Sequence, residues 1–286
     1  GVNWLGDAVM TTPALLRLRE AQPEAHLALL THEKLADLWR HHPALDQVLT
    51  FGAQDNVFSL SRRLRVERFD VALLFPNSPR SALEAWLARI PRRIGGAWPW
   101  RNGLLTDVVP PRAGEVRMRK RSSAEVRQLV ATANATPPSA HRPLTSHLSP
   151  LTSSLSPAGH QLHHYLHLAA ALGASALPVA PQLHVTDAEV EAARQRFQLA
   201  PDRRWLGLNA GAEYGPAKRW PVERFIEVAG EVAAWPGWGI VLFGGKGDLA
   251  ITQAVKTALR PSSSLLRNLV GQTSLRELCA ALRCCE

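Results

Sequence analysis

The sequence predicts an α/β protein built on parallel sheets. Short apolar runs alternate along the chain with segments of helical period, and Gly-rich turns follow several of those runs. Hydrophobic residues make up 46% of the chain and charged residues 20%, which excludes a disordered or fibrous protein. The length of 286 residues predicts two domains at about 150 residues each. No apolar run approaches the ~20 residues that a membrane-spanning helix needs.

The first half of the sequence alternates helical and strand patterns. A helix over 11–21 ends before Pro23, and the clearest strand of this half is the apolar run over 69–75. A weaker strand and turn region surrounds Gly95 and Gly96. The other elements predicted here are strands over 26–31 and 47–51 and helices over 34–42, 57–68, 80–90 and 160–172. Such alternation is typical of βαβ units.

The second half repeats the alternation. Thr186 is a good N-cap for a helix over 187–197, because Glu189 three residues on completes a capping box. A doubly wound domain has five or six strands, so this half is expected to lack its end. The start is expected to be missing too, since Gly1 already lies in a Gly-rich turn. The remaining predictions are strands over 204–209, 239–243 and 269–270 and helices from Pro221, over 247–259 and over 274–282.

Composition divides the chain into two expected lobes. Residues 133–159 are dominated by Pro, Ser, Thr, Ala and His, which cannot bury enough apolar surface to offset the chain entropy. We therefore predict a first lobe over 1–177 that carries a flexible insertion over 113–159. A proline-stiffened linker covers 178–186, and the second lobe covers 187–286.

The formal net charge of +9 is concentrated in the first half. Residues 1–185 hold 20 of the 33 basic residues and 13 of the 24 acidic ones, so an anionic partner is expected there. The three cysteines, Cys279, Cys284 and Cys285, all lie in the last eight residues. A disulfide framework would distribute cysteines along the chain, so the pattern favours a reducing, cytoplasmic location.

Three Gly-rich segments at strand-to-helix turns are candidate ligand sites. The first contains one carboxylate, Asp7, which on spacing alone is a helix N-cap or a first-turn acid. In the second, glycines free backbone N–H groups for a diphosphate, and Lys218 or Arg219 supplies positive charge. The third is able to hold a nucleotide, although a tight turn alone also explains it. The segments are Gly1-Val2-Asn3-Trp4-Leu5-Gly6-Asp7, the stretch from Gly211 to Pro221, and Phe243-Gly244-Gly245-Lys246-Gly247-Asp248.

Two other patterns have simpler explanations than a site. His160, His163, His164 and His167 have helical spacing that suits a metal ion, but no carboxylate or cysteine lies nearby in the sequence. No metal site is therefore predicted. The basic run over 117–121 is explained by a solvated loop, because no nucleic-acid-binding motif or stacking aromatic residue accompanies it. Nucleic acid is not an expected partner.

Four segments taken together resemble glycosyltransferase family 9. They follow the order of the family along the whole chain except over 113–159, and the second Gly-rich segment is the most specific of them. The resemblance implies a GT-B architecture, in which two Rossmann-like lobes face each other across a cleft, with the second lobe incomplete here. The segments are Asn3-Trp4-Leu5-Gly6-Asp7-Ala8-Val9-Met10, Pro76-Asn77-Ser78, Gly211-Ala212-Glu213-Tyr214-Gly215-Pro216-Ala217-Lys218-Arg219-Trp220-Pro221 and Asn268-Leu269-Val270-Gly271-Gln272-Thr273-Ser274-Leu275.

The resemblance also implies an activity. It is an inverting transfer of heptose from ADP-L-glycero-D-manno-heptose to the heptose of the lipopolysaccharide inner core. The first lobe takes the Kdo- and heptose-bearing lipid A acceptor, the second takes the nucleotide sugar, and no metal or other cofactor is involved. A cytoplasmic protein with a peripheral contact to the inner membrane suits that acceptor.

Site residues follow from the same resemblance. Asp7 resembles the general base that deprotonates the acceptor hydroxyl, and Lys218 resembles the cation on the donor diphosphate. Positive charge at the diphosphate stabilises the departing ADP of an oxocarbenium-like transition state. The family's later Asp-Ser/Thr-Gly-x-x-His segment has no counterpart in this sequence, so the activity of the chain as it stands is a separate question. The other assignments are Gly211, Arg219, Gly244 and Gly245 for the donor and Asn77, Ser78 and Arg80 for the acceptor.

Two alternatives stay open at the level of the sequence. One is a related family 9 glycosyltransferase that uses another acceptor. The other is a nucleotide-binding module without catalysis, which a non-acidic residue at position 7 would favour. Asp7 is present and favours the enzyme.

Overall fold

The structure is a computed structural model that describes residues 2–112, 160–212, 218–259 and 265–286, together with 122, 124, 125, 127 and 128. The predicted insertion over 113–159 lies outside the described residues apart from those isolated positions. The basic run over 117–121, Gly1 and residues 213–217 of the second Gly-rich segment also lie outside them.

Helices and strands alternate through the described part of the chain. The α-helices are α1 (Leu5–Ala21), α2 (Val57–Val66), α3 (Pro79–Leu87), α4 (Gln161–Ala170), α5 (Asp187–Phe197), α6 (Val222–Ala233), α7 (Leu249–Ala258) and α8 (Leu275–Leu282). The strands are β1 (Ala28–His32), β2 (Gln47–Phe51), β3 (Val71–Leu74), β4 (Arg92–Gly96), β5 (Asp107–Val109), β6 (Arg204–Asn209), β7 (Trp238–Phe243) and β8 (Leu266–Asn268). Short 3-10 helices cover Glu33–Trp39, Asn102–Leu104 and Lys246–Asp248.

The chain divides into two compact units. One combines Gly1–Asn56 with Ala180–Glu286 and contains the parallel pair β1-β2 and the parallel sheet β6-β7-β8. The other, Val57–Val179, contains the parallel sheet β3-β4-β5. Parallel neighbours joined through helices form the predicted α/β architecture. The lobe boundaries drawn from composition remain a prediction.

The sheet β6-β7-β8 is covered by helices on both faces. Successive side chains of β7 point to opposite faces, so Val241 and Phe243 enter one core cluster and Ile240 and Leu242 enter another. The first cluster includes Trp205, whose Nε1 donates to the Ala200 carbonyl at 3.1 Å, and residues of α5 and α8. The second cluster includes residues of α6 and α7. A strand buried on both faces requires the continuous apolar run from which it was predicted.

The first helix begins six residues earlier than predicted. Because α1 starts at Leu5, Gly6 and Asp7 lie in its first turn and not in a loop before it. Pro13 lies inside the helix and cannot donate to the Val9 carbonyl. The hydroxyl of Thr12 donates to that carbonyl instead, at 2.8 Å, so the helix continues through the proline.

Two further predictions were wrong in detail, and one strand was missed. The last strand is Leu266–Asn268 and not 269–270, because the Asn268 side chain accepts the Val270 N–H at 3.1 Å in a turn that ends the strand. The segment predicted as a helix over 34–42 is a 3-10 helix over Glu33–Trp39. Strand β5 was missed, since three residues are too few for a readable apolar run.

Capping of α5 was predicted correctly. The Thr186 hydroxyl accepts the Glu189 N–H, and the Glu189 carboxylate accepts the Thr186 N–H at 2.8 Å. The cysteines are free, and burial raises the pKa of the Cys285 thiol to about 11. None of the helices in the described residues combines the length and the apolar composition that crossing a membrane requires.

Candidate functional site

Three loops leave the carboxyl edge of the sheet β6-β7-β8. Because these strands are parallel, the loops over 210–221, 244–248 and 269–274 start from the same edge. Ligands of open α/β sheets bind at this edge. The residues assigned to the donor from the sequence lie on these loops: Gly211, Lys218, Arg219, Gly244 and Gly245.

Asp248 is the residue around which these loops are organised. Its Oδ2 accepts the Gly245 N–H at 2.9 Å, and its Oδ1 lies 4.0 Å from a guanidinium nitrogen of Arg219. The loop after β6 approaches so closely that a Cβ added to Gly211 would lie 2.2 Å from the Asp248 carboxyl carbon. Three residues predicted separately, Gly211, Arg219 and Gly245, therefore surround one carboxylate that was not assigned a role.

A second link joins the loops after β7 and β8. The Gly271 N–H donates to the Gly244 carbonyl at 3.0 Å. Gly271 has a φ of +68°, a conformation that favours glycine, and a Cβ there would lie 3.1 Å from Cγ of Lys246. These contacts fix the backbone of both loops at the sheet edge.

The charge at this edge is predominantly positive. Lys218, Arg219 and Lys246 are exposed, and Asp248 is the one carboxylate among the described residues of the three loops. Arg219 also donates to the Ala212 carbonyl at 3.0 Å, so its guanidinium is held near the start of the loop after β6. Fixed glycine backbone with cations beside it suits a diphosphate.

Asp7 is the third residue of α1 and is half-buried. Its carboxylate has no hydrogen-bond or ion-pair partner among the residues that the structure describes. The helix is fixed one turn later, where the Thr12 hydroxyl accepts the Gln182 N–H at 3.1 Å. The Asp7 carboxylate thus lies in the first turn of α1, where it is available to a ligand.

The residues assigned to the acceptor lie in the unit Val57–Val179, after β3. The Ser78 hydroxyl accepts the Ser81 N–H at 3.2 Å and is the N-cap of α3. Arg80 forms an ion pair with the nearly buried Glu84, at 2.7 Å. Asn77 is exposed, and its Oδ1 would lie 3.4 Å from a Cβ on Gly96 at the end of β4. Helix capping and ion pairing thus already engage two of the three assigned side chains.

His164 lies near the same glycine, Gly96, as Asn77, which the sequence did not indicate. A Cβ on Gly96 would contact both side chains, at 3.7 Å from Cε1 of His164. The neighbouring His163 has a lowered pKa because burial and the charges of Arg112 and His160 disfavour its protonated form. A histidine and an amide therefore both lie close to Gly96, at the carboxyl end of β4.

The remaining histidines of α4 have structural roles. His160 is the N-cap, and its Nδ1 accepts the Leu162 N–H at 3.2 Å. His167 Nε2 lies 2.9 Å from the Pro110 carbonyl. Within the described ranges, no group of three or more His, Cys, Asp or Glu side chains is arranged to hold a metal ion.

Comparison with known proteins identifies a family. The profile of glycosyltransferase family 9 (heptosyltransferase) matches residues 121–286, more than half of the chain. Lipopolysaccharide heptosyltransferase 2 of Escherichia coli K12 is 27% identical over 300 residues, which cover 100% of this chain and 74% of that protein.

Solved structures agree with this match. The structure of E. coli ADP-heptose LPS heptosyltransferase II superposes with a TM-score of 0.75 and 26% identity, over 100% of this chain and 75% of that one. A family 9 glycosyltransferase from Veillonella parvula has a TM-score of 0.72 at 20% identity, over 100% of this chain and 71% of that one. The predicted GT-B fold class is confirmed.

Proposed function

The chain belongs to glycosyltransferase family 9, and we propose that it transfers heptose from ADP-L-glycero-D-manno-heptose to the heptose of the lipopolysaccharide inner core. Its similarity to the heptosyltransferase of E. coli extends over the whole chain. The observation that carries the proposal is the clustering of Gly211, Arg219 and Gly245 around Asp248, at the sheet edge where a nucleotide sugar would bind.

The donor diphosphate is proposed to lie over the loops after β6 and β7. Lys218, Arg219 and Lys246 supply the positive charge that stabilises ADP as it departs. Asp248 shapes the site without contacting the phosphates, because it already holds Gly245 and Arg219 in place. The residues at this edge need no metal ion for that task, since their own cations neutralise the leaving group.

Asp7 is proposed as the general base. The bond between the anomeric carbon and the diphosphate oxygen breaks, and the acceptor hydroxyl attacks the opposite face of the sugar. The hydroxyl proton passes to the Asp7 carboxylate, and the product has inverted configuration. A carboxylate to which none of the described residues is bonded is suited to this role, because it does not first have to leave such a bond.

Acceptor binding is proposed at the carboxyl edge of the sheet β3-β4-β5. Asn77 is the strongest of the three assigned residues, because Ser78 caps α3 and Arg80 pairs with Glu84. His164 is added to the assignment because it lies close to the same glycine, Gly96, as Asn77. The acceptor carries Kdo and heptose on lipid A, so we place the protein in the cytoplasm, in peripheral contact with the inner membrane.

The test is release of ADP by the full chain, supplied with ADP-heptose and an inner-core acceptor that bears the first heptose. Asp7→Asn should reduce kcat by at least about a hundredfold while ADP binding is retained. Lys218→Ala should weaken ADP binding and turnover together. Wild-type turnover by Asp7→Asn would remove the base assignment.

The same assay separates the alternatives. Preference for another acceptor would indicate a related family 9 transferase. Binding of ADP without any turnover would indicate a nucleotide-binding module.

A further inference from the structure

Helix α2 exposes a face that mixes apolar and basic side chains. Phe58, Arg62, Arg65 and Val66 recur at the spacing of one helical face, and Phe58 and Val66 are 68% and 79% exposed. The opposite face, formed by residues such as Leu60 and Leu64, is buried. We call the four exposed residues the α2 face. Two large apolar side chains so open to solvent, on one short helix, indicate an interaction surface.

The α2 face is held rigidly on α3. The Ser61 hydroxyl donates to the Glu84 carbonyl at 3.1 Å, and Arg65 donates to the Leu87 carbonyl at 2.5 Å. Trp86, the neighbour of Leu87, is itself 47% exposed. The face is therefore presented by a fixed pair of helices.

The positive charge of the segment that contains the α2 face, residues 57–93, is supplied by arginine alone. Residues 57–93 contain eight arginines, no lysine and three acidic residues. One of the three acids, Glu84, is nearly buried and paired with Arg80, so it does not offset the exposed charge. Arginine binds phosphate oxygens through two parallel N–H bonds, which makes this face complementary to a phosphate-bearing surface.

We propose that the α2 face docks on the surface of an anionic phospholipid bilayer. Phe58 and Val66 enter the interfacial region, while Arg62 and Arg65 lie at the depth of the phosphates. A nucleic acid would engage the arginines but would leave the two apolar side chains without a role. An acidic protein with apolar residues of its own is an outcome of the test, in which the chain would not bind vesicles. The inference rests on the proposed function, since it names the surface through which a lipid-linked acceptor is approached.

The test is co-sedimentation of the full chain with vesicles, without donor or acceptor. We expect binding to vesicles of phosphatidylethanolamine and phosphatidylglycerol and none to phosphatidylcholine alone. Phe58→Ser combined with Val66→Ser, and separately Arg62→Glu, should each lower partition into anionic vesicles by about tenfold. The matched control is Leu282→Ser with Arg283→Gln, an exposed apolar and basic pair on the other unit, which should bind like wild type.

Three results would overturn the proposal. They are a wild-type chain that ignores anionic vesicles, variants that sediment like wild type, and a loss confined to Arg62→Glu. The last would indicate a purely electrostatic partner. Thermal unfolding and ADP binding show that each variant is folded.

Loss of vesicle binding and loss of heptosyl transfer reject two different proposals. Vesicle binding without heptosyl transfer to a soluble acceptor would reject the proposed function and leave the docking surface in place. Heptosyl transfer without vesicle binding would reject the docking surface and leave the proposed function in place.

Discussion

Arg276 of α8 holds Glu189 of α5 through two parallel bonds, Nε to Oε1 at 2.5 Å and Nη2 to Oε2 at 2.6 Å. The third nitrogen of the same guanidinium donates to the Arg40 carbonyl at 3.3 Å. Glu189 also completes the capping box with Thr186, and the Arg276 guanidinium is the main reason that the pKa of this carboxyl is held at about 2. One carboxylate thus supports the start of α5 and links it to α8 and to the segment after the first 3-10 helix.

The two members of this pair should not be equivalent. Glu189→Ala removes the partner of an Arg276 side chain that is only 10% exposed. We expect the free energy of unfolding to fall by about 3 kcal/mol. Arg276→Met should cost about 1–2 kcal/mol, because Glu189 keeps its cap donors. Urea unfolding measures both. Arg224→Ala, from an exposed pair with Glu227, should cost less than about 1 kcal/mol. Equal losses for the first two variants would contradict the asymmetry.

Acid should destabilise the protein through His42. This side chain is buried against His184, with 5.1 Å between ring centroids, and its Nδ1 accepts the Ala44 N–H. Within the described part of the chain, neither Nε2 atom has a hydrogen-bond partner. Burial, with a smaller contribution from His184, lowers the pKa of His42 to about 4, while burial and the charge of Arg276 lower that of His184.

The unfolded chain therefore binds more protons than the folded one between pH 6.5 and 4. The contribution of His42 to stability is complete above pH 6.5 and is lost as the pH falls toward 4, by up to about 3 kcal/mol. Thermal unfolding against pH should give a shallower slope in this window for His42→Phe. The exposed His26→Phe should keep the wild-type slope. An unchanged slope for His42→Phe would locate the acid sensitivity elsewhere.

Glycine should be indispensable at position 211 and replaceable at position 230. A methyl group on Gly211 meets the Asp248 carboxylate, so Gly211→Ala should displace it and weaken ADP binding by about tenfold. Nothing lies within 4 Å of a Cβ on Gly230 in α6, so Gly230→Ala should stabilise the protein by about 0.5–1 kcal/mol. Titration calorimetry with ADP and thermal unfolding test both. Normal ADP binding by Gly211→Ala would mean that the contact does not shape the donor site.

Replacing Arg219 should weaken nucleotide binding, whereas replacing Arg224, a nearby arginine in the sequence, should not. Arg219→Ala should weaken ADP binding by about tenfold, with a smaller dependence on salt, because one cation near the diphosphate is lost. The Arg224 side chain is exposed on α6 and pairs with Glu227, so Arg224→Ala should change ADP affinity by less than about twofold. Similar losses for both variants would point to overall charge and not to a defined site.

Much of the fold was readable from the sequence because its signals are local. Strand β7 is a continuous apolar run, and α5 begins with a complete capping box, so both were predicted at or near their observed bounds. Helix α1 was predicted too short because the glycines before Thr11 were interpreted as a turn that leads into the helix. Pro13 does not break the helix, because the Thr12 hydroxyl donates to the carbonyl that the proline leaves without a backbone donor.

The candidate site was predicted only in part from the sequence. The Gly-rich segments marked where Gly211, Gly244 and Gly245 would lie, since glycine at strand-to-helix turns has a local signature. Asp248 was not assigned a role, because its contacts with Gly211 and Arg219 depend on the order of β6 and β7, and only its bond to the Gly245 N–H is local. His164 was likewise interpreted as part of a compositional cluster, although it lies close to Gly96, as Asn77 does.

The sequence by itself determined the alternation of strands and helices, the caps and the resemblance to glycosyltransferase family 9, because these depend on residues close together in the chain. The tertiary structure decided which residues come together: Asp248 with the backbone of Gly211, Asn77 and His164 with the same glycine, Gly96, and Arg276 with Glu189. Such pairs depend on strand order and helix packing over tens of residues. A local pattern cannot encode that geometry.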